Sequence, residues 1–225
     1  MIDTQAIWDE AFLAQIAEVE AKSNSNPTDW RTGGRKTKDN PDKENKVWWD
    51  ENGKKMLDDF IQSYKANNWK VWVTPQGVPA IELGMTCMFG DVPIKAFVDL
   101  VFENPDGSLT VVDLKTGART PDSSLQLGVY AACVEMTFGI RPQYGAYYSA
   151  RSATLEPSGG IERWTEPVLT EMFAQFQRGL DAQIFLPNIG MSCGTCGVKD
   201  YCYATGGQLA QIYDPLATTK EKENK

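Results

Sequence analysis

Residues 80–115 read AIELGMTCMFGDVPIKAFVDLVFENPDGSLTVVDLK. Alternating apolar runs broken by two turn signals leave this stretch little choice but a three-stranded antiparallel meander. Gly90-Asp91 suits a two-residue II′ hairpin, which pairs Phe89 with Val92 and, counting outward, Glu82 with Asp99. Asn104-Pro105-Asp106-Gly107 suits a type I turn closed by a glycine bulge, so Asn104 meets Ser108 and Asp99 falls opposite Asp113. The register therefore predicts Glu82, Asp99 and Asp113 in one row over adjacent strands, with Lys115 on the same face by the period of two.

Like charges directly opposite one another destabilise a sheet. A row of acids among apolar neighbours needs a compensating charge, and hard carboxylate oxygens suit magnesium or manganese with waters completing the shell. The other reading of the same row is a set of solvent-facing acids on a one-sided sheet. The chain contains no histidine, which removes Ser-His-Asp hydrolysis, Cys-His proteolysis and histidine-ligated zinc catalysis together. A formal charge of −8 argues against coating nucleic acid by bulk electrostatics, although a local basic groove is compatible with it.

A length of 225 residues suffices for one sizeable domain with small appendages. Residues 4–22 carry Ile7, Trp8, Phe12, Ile16 and Val19 at helical spacing, and 48–64 form a second helix with Trp49, Met56, Leu57, Phe60, Ile61 and Tyr64 as its apolar stripe. Between them, 23–46 is a loop by composition, rich in Asn, Pro, Gly and charge, and net basic. Trp30, Arg31, Arg35 and Lys36 make it either a nucleic-acid gate, with phosphates on the cations and a base on the indole, or a merely solvated loop.

After the meander, 123–138 is a helix started by Asp122 or Ser123 and ended by Gly139. Gln126, Tyr130 and Cys133 share one of its faces, and Gln126 is a polar amide where an apolar residue would be expected. A strand at 144–150, a turn at 157–160 and a long helix at 166–185 follow. Cys193, Cys196 and Cys202 crowd into a compact knuckle; without a secretory signal such a cluster favours a metal over disulfides. The expected divisions are a helical region 1–70 with the basic loop 23–46, a core 71–186, the knuckle 187–213 and a disordered tail 214–225. No apolar run approaches a membrane span and the start lacks a signal-peptide layout, so cytoplasmic residence is expected.

The order of elements resembles the PD-(D/E)xK nuclease core. Phe97-Val98-Asp99 on one strand, Asp113-Leu114-Lys115 on the next and Gln126-Leu127-Gly128-Val129-Tyr130 opening the following helix are similar to the RecB-like branch, with its Q-x-x-x-Y helix. Cys193-x2-Cys196-x5-Cys202 resembles the iron-sulfur triad of CRISPR-associated type-four exonucleases and their phage relatives. The likeness covers about 80–202. It implies an α/β (α+β) fold: a restriction-endonuclease-like core, with a central mixed sheet containing the antiparallel meander, flanked by helices, plus the C-terminal cysteine knuckle.

The resemblance implies a magnesium- or manganese-dependent deoxyribonuclease, an exonuclease hydrolysing phosphodiesters of DNA with a free end in end processing or recombination. It acts alone, as a homo-oligomer or within a recombination or replication complex. A catalytically silent DNA- or partner-binding relative is the alternative. By position, Asp99 and Asp113 ligate the metal, and Lys115 positions or helps deprotonate the attacking water. Gln126 orients Lys115 or the substrate, and Tyr130 contacts DNA. Many relatives carry a histidine in the early helix; here Glu82, or else Asp58, would complete the shell. At the triad the resemblance implies a 4Fe-4S cluster, or alternatively zinc, with Cys87 or Cys133 as candidate fourth ligand.

Overall fold

The computed structural model describes residues 3–23, 30, 32–34, 36–38, 41–184 and 186–210. Arg31, Arg35 and the tail 214–225 lie outside them. Two compact units divide the chain, 1–174 and 175–225, so the helical region 1–70 belongs to the same unit as the sheet.

The meander has the register that its turns dictate. β2 (Ile81–Phe89) and β3 (Val92–Glu103) pair antiparallel from Phe89 with Val92 out to Ile81 with Leu100. Gly90 takes the positive φ, 60°, that the tight hairpin demands. β3 pairs β4 (Leu109–Lys115) antiparallel from Glu103 with Leu109 to Leu100 with Val112. The turn is closed by Asn104 N–H on Ser108 O (2.8 Å) and Gly107 N–H on Asn104 O (2.9 Å).

Beyond the meander, β5 (Tyr144–Ser149) runs parallel to β4, and β6 (Thr154–Ser158) pairs antiparallel with β5. β6 occupies part of the stretch expected to be a turn. With β1 (Lys70–Val71), which also pairs β3, the six strands form one mixed sheet. β4 is central, and residues Leu109–Asp113 are buried whichever face they point to, as an interior strand requires.

Helices cover both faces. α3 (Leu125–Phe138) lies over one, where Leu127, Ala131, Ala132, Cys133 and Val134 join Val98, Val101, Val111 and Tyr147 in the main core. On the other, Phe60 and Tyr64 of α2 (Lys46–Ala66) pack with Trp69 against Leu100, Phe102, Val112, Ala146 and Tyr148. α1 (Thr4–Ser23) sets the Trp8 ring on Gly53 of α2, where a Cβ would lie 2.0 Å from the ring. α1 itself has no fully buried residue and Gly53 is the only one in α2, so both stripes are shallower than their periodicity predicts. In α4 (Glu166–Asp181) Leu169 is fully buried, whereas Val168, Met172 and Phe176 are exposed.

One departure matters for the site. Val98 and Val101 reach the same core although three residues apart, while Leu100 and Phe102 reach the other. The alternation of β3 therefore slips at Asp99, and across from it Glu82 takes φ 48°, a left-handed conformation rare outside glycine. The register is as calculated, but the row of acids is bent at its middle.

Among the described residues no helix is long and apolar enough to cross a membrane.

Candidate active site

The site is assembled where β4 ends and α3 begins. α3 starts two residues later than expected: Ser123 Oγ accepts from Leu125 N–H (3.2 Å), and Ser124 Oγ accepts from the Trp164 indole (2.9 Å). Gly128, whose hypothetical Cβ would meet the Trp164 ring at 2.2 Å, lets that indole lie on the first turn. The turn is thereby fixed, and Gln126 and Tyr130, four apart, both face the end of β4.

Asp113 is 2% exposed. Its Oδ1 accepts from Gln126 Nε2 at 2.7 Å, and the same amide nitrogen donates to the Tyr130 hydroxyl at 2.9 Å. Lys115 Nζ donates to Gln126 Oε1 at 3.0 Å and lies 2.5 Å from Asp113 Oδ2. That last contact is an ion pair whose angles do not make a hydrogen bond, so Oδ2 is buried without a hydrogen-bond partner. The Tyr147 ring, beside Asp113 on β5, lies 5.7 Å from the ammonium and anchors itself by donating its hydroxyl to Ser123 O (2.7 Å).

Asp99 reaches the same strand end, its Oδ2 accepting from Leu114 N–H at 2.8 Å. Burial raises its carboxyl pKa above the ordinary range; the Leu114 bond opposes this, and the charges of Asp113 and Glu82 add to it. Burial likewise raises the Tyr130 and Tyr147 phenols, with Asp113 contributing to both. The arrangement is thus a half-buried and a buried carboxylate near one another, with one ammonium and one amide to hold them.

Among the described residues no three His, Cys, Asp or Glu side chains converge on a point where an ion could sit. Glu82, expected as the third member of the row, is exposed and its left-handed backbone lies at the bend, yet its charge still acts on the Asp99 carboxyl. Asp58 is no substitute, since it accepts from Thr4 Oγ1 in the contact between α1 and α2. Asp99 and Asp113 nevertheless fit a divalent ion. Magnesium is ordinarily held by one or two carboxylates plus substrate phosphate and water, and Asp113 Oδ2 is a buried oxygen that accepts no hydrogen bond, its close neighbour being the Lys115 ammonium.

The cysteines fit their expected group less well. All five are free; Cys193 and Cys202 are half-buried, Cys196 is exposed, and the three sulfurs do not converge. Cys193 Sγ accepts one bond, from Gly190 N–H (3.3 Å). Cys87 and Cys133, named as fourth ligands, are core residues of the other unit at 4% and 0% exposure. Burial pushes the Cys133 thiol far up, away from the thiolate a metal needs.

Of the expected DNA contacts, Trp30 is half-buried and Lys36 exposed. The sequence reading missed Tyr147, which depends on the parallel pairing of β4 with β5, and Arg151, whose contacts span distant segments. Neither carries a local signal.

The sequence profile of the PD-(D/E)XK nuclease superfamily matches residues 5–203. Two curated relatives, each called "Gene 69 protein", come from Mycobacterium phage D29 (32% identical over 157 residues) and Mycobacterium phage L5 (29% over 175). Each match covers 67% of this chain and 57% or 60% of the relative, so the chain spans less than two thirds of their length.

Proposed function

Because this chain belongs to the PD-(D/E)XK nuclease superfamily, we propose that it is a magnesium- or manganese-dependent deoxyribonuclease that removes nucleotides from DNA ends, in end processing or recombination. The observation that carries the reading is the Asp113–Lys115–Gln126 cluster: a buried carboxylate, ion-paired through one oxygen with an ammonium and hydrogen-bonded through the other to the amide that holds that ammonium in place. A buried carboxylate is costly unless it is paired, and here the pairing cation is the lysine whose ammonium the reaction would use.

In this reading Asp99 and Asp113 hold the ion. When bound, the ion shields the phosphate charge and lowers the pKa of water toward neutrality, which is why no histidine is required. Lys115 aims its remaining N–H bonds at the attacking water or a phosphate oxygen as negative charge builds there. Gln126 fixes that ammonium by accepting from it while donating to Asp113, so lysine and carboxylate keep one geometry. Tyr130 and Tyr147 wall the site, and Tyr130 meets the DNA.

The test uses linear duplex and single strands labelled at either end, and covalently closed circles, incubated with manganese. Loss of label from linear DNA with circles intact is the expected result. Nicking of circles overturns the end-dependence, and no cleavage of any substrate overturns the reading. An iron-sulfur cluster or zinc at Cys193, Cys196 and Cys202 has the spacing in its favour and the placement of the thiols against it; iron, sulfide and zinc analysis of anaerobically purified protein decides it.

A further inference from the structure

Residues 149–151 run alongside the end of the Asp-x-Lys strand. Ser149 pairs with Lys115, Ala150 N–H donates to Lys115 O (2.9 Å), and Arg151 Nε–H donates to Thr116 O (2.7 Å). Two successive carbonyls at the strand's exit are thus held by two successive donors, the second of them a side chain.

The same guanidinium makes three further contacts. One terminal nitrogen lies 3.0 Å from Glu44 Oε1, with the two side chains only 24% and 13% exposed. Its plane carbon sits 5.0 Å from the Trp48 ring and 5.9 Å from that of Trp49. Those indoles are set edge to face at 4.9 Å in the first turn of α2, where Asn45 caps Trp48 N–H at 2.9 Å. Glu44 occupies a prepared seat: it bridges to Gly33, and a Cβ on Gly34, at φ +72°, would lie 2.7 Å from its Oε1.

We propose that Arg151 is a positioning residue for Lys115, clamping the exit of β4 to the start of α2 and to Glu44 so that the ammonium stays between Asp113 and Gln126. The inference rests on the nuclease reading above. Lys115 is the last residue of β4 and Thr116 is exposed, so without the guanidinium the Thr116 carbonyl loses its donor and the strand end can fray. Only arginine offers a planar fork that donates on two edges while its face rests on aromatics; a lysine supplies one point charge.

The test compares Arg151→Ala, Arg151→Lys and Glu44→Gln with the full wild-type chain in steady-state cleavage of labelled DNA with manganese. Intrinsic tryptophan fluorescence and thermal melting run alongside. Both Arg151 variants are expected to lose kcat by roughly a hundredfold, the cost of about 1 Å of misplacement, with KM nearly unchanged. Added guanidinium ion, at concentrations too low to unfold the wild type, is expected to restore part of the kcat of Arg151→Ala and none of Arg151→Lys. Glu44→Gln, which keeps the Thr116 bond and the indole contacts, is expected to lose only a few-fold. A raised KM at unchanged kcat would make Arg151 a DNA contact and overturn the positioning role, as would full activity in Arg151→Ala. If the wild type does not cleave DNA while Arg151→Ala shifts the fluorescence, the nuclease reading has failed and the clamp itself stands.

Discussion

Gln126 can be removed to reveal what it holds. Its amide donates to Asp113 Oδ1 at 2.7 Å and to the Tyr130 hydroxyl at 2.9 Å, and accepts from Lys115 Nζ at 3.0 Å. In Gln126→Ala two of the three lost bonds involve a charged partner, and each is worth about 1.5–3 kcal/mol in a protein. Asp113, already lacking a hydrogen bond at Oδ2, would then lack one at both oxygens. Gln126 is exposed, so water recovers part of this, and a net loss of about 2 kcal/mol is expected, below the roughly 3–6 kcal/mol that the two bonds sum to. For a chain of this size that lowers Tm by roughly 4–8 °C. The activity loss is larger: a lysine freed to swing away costs about a hundredfold in kcat, or ~2.7 kcal/mol of barrier. Calorimetry and single-turnover cleavage read the two effects separately. In Gln126→Glu a carboxylate faces Asp113 Oδ1, so cleavage is expected to be lost at neutral pH and partly recovered as pH falls, when the introduced acid protonates and can donate again. Gln126→Ala cleaving within about threefold of wild type would refute the claim that this amide positions Lys115.

Other perturbations test other links. Asp99 has its folded pKa raised above the unfolded value, chiefly by burial, so its ionisation destabilises the fold. That penalty is absent below the unfolded pKa, grows as pH rises through the folded one and is complete above it. Asp99→Asn, which keeps an acceptor for Leu114 N–H, should therefore melt higher than wild type near neutral pH and lose the advantage in acid, while losing cleavage. Leu127→Ala, at a fully buried site, should cost about 2–5 kcal/mol in denaturant unfolding. A thiol reagent should label Cys196 first in native protein and reach Cys87 and Cys133 only on unfolding, because the former is exposed and the latter two lie in the core.

The register of β2, β3 and β4 was legible because it is local: Gly90 and Gly107 fix two hairpins, and each hairpin fixes its own pairing. Gln126 announced itself as an amide on an apolar helix face, and it does bond Asp113 and Lys115. The bend at Asp99 was not legible. Turn counting assumes unbroken alternation, and the slip shows only in which core each side chain of β3 joins, Val98 and Val101 the one and Leu100 and Phe102 the other. β6 hid because Thr154–Ser158 contains Pro157, tolerated there at the sheet's edge. Arg151 hid because its partners at 44, 48 and 116 are remote in sequence.

The most direct measurement is single-turnover cleavage of end-labelled DNA with manganese by wild type, Asp113→Ala and Lys115→Ala, each checked for folding by circular dichroism. Rapid loss of label with wild type and at least a hundredfold slower loss with either variant is what the site's geometry predicts. Equal rates from all three folded proteins would place the chemistry elsewhere, or in a contaminant, and contradict the assignment of this carboxylate and this lysine to phosphodiester hydrolysis.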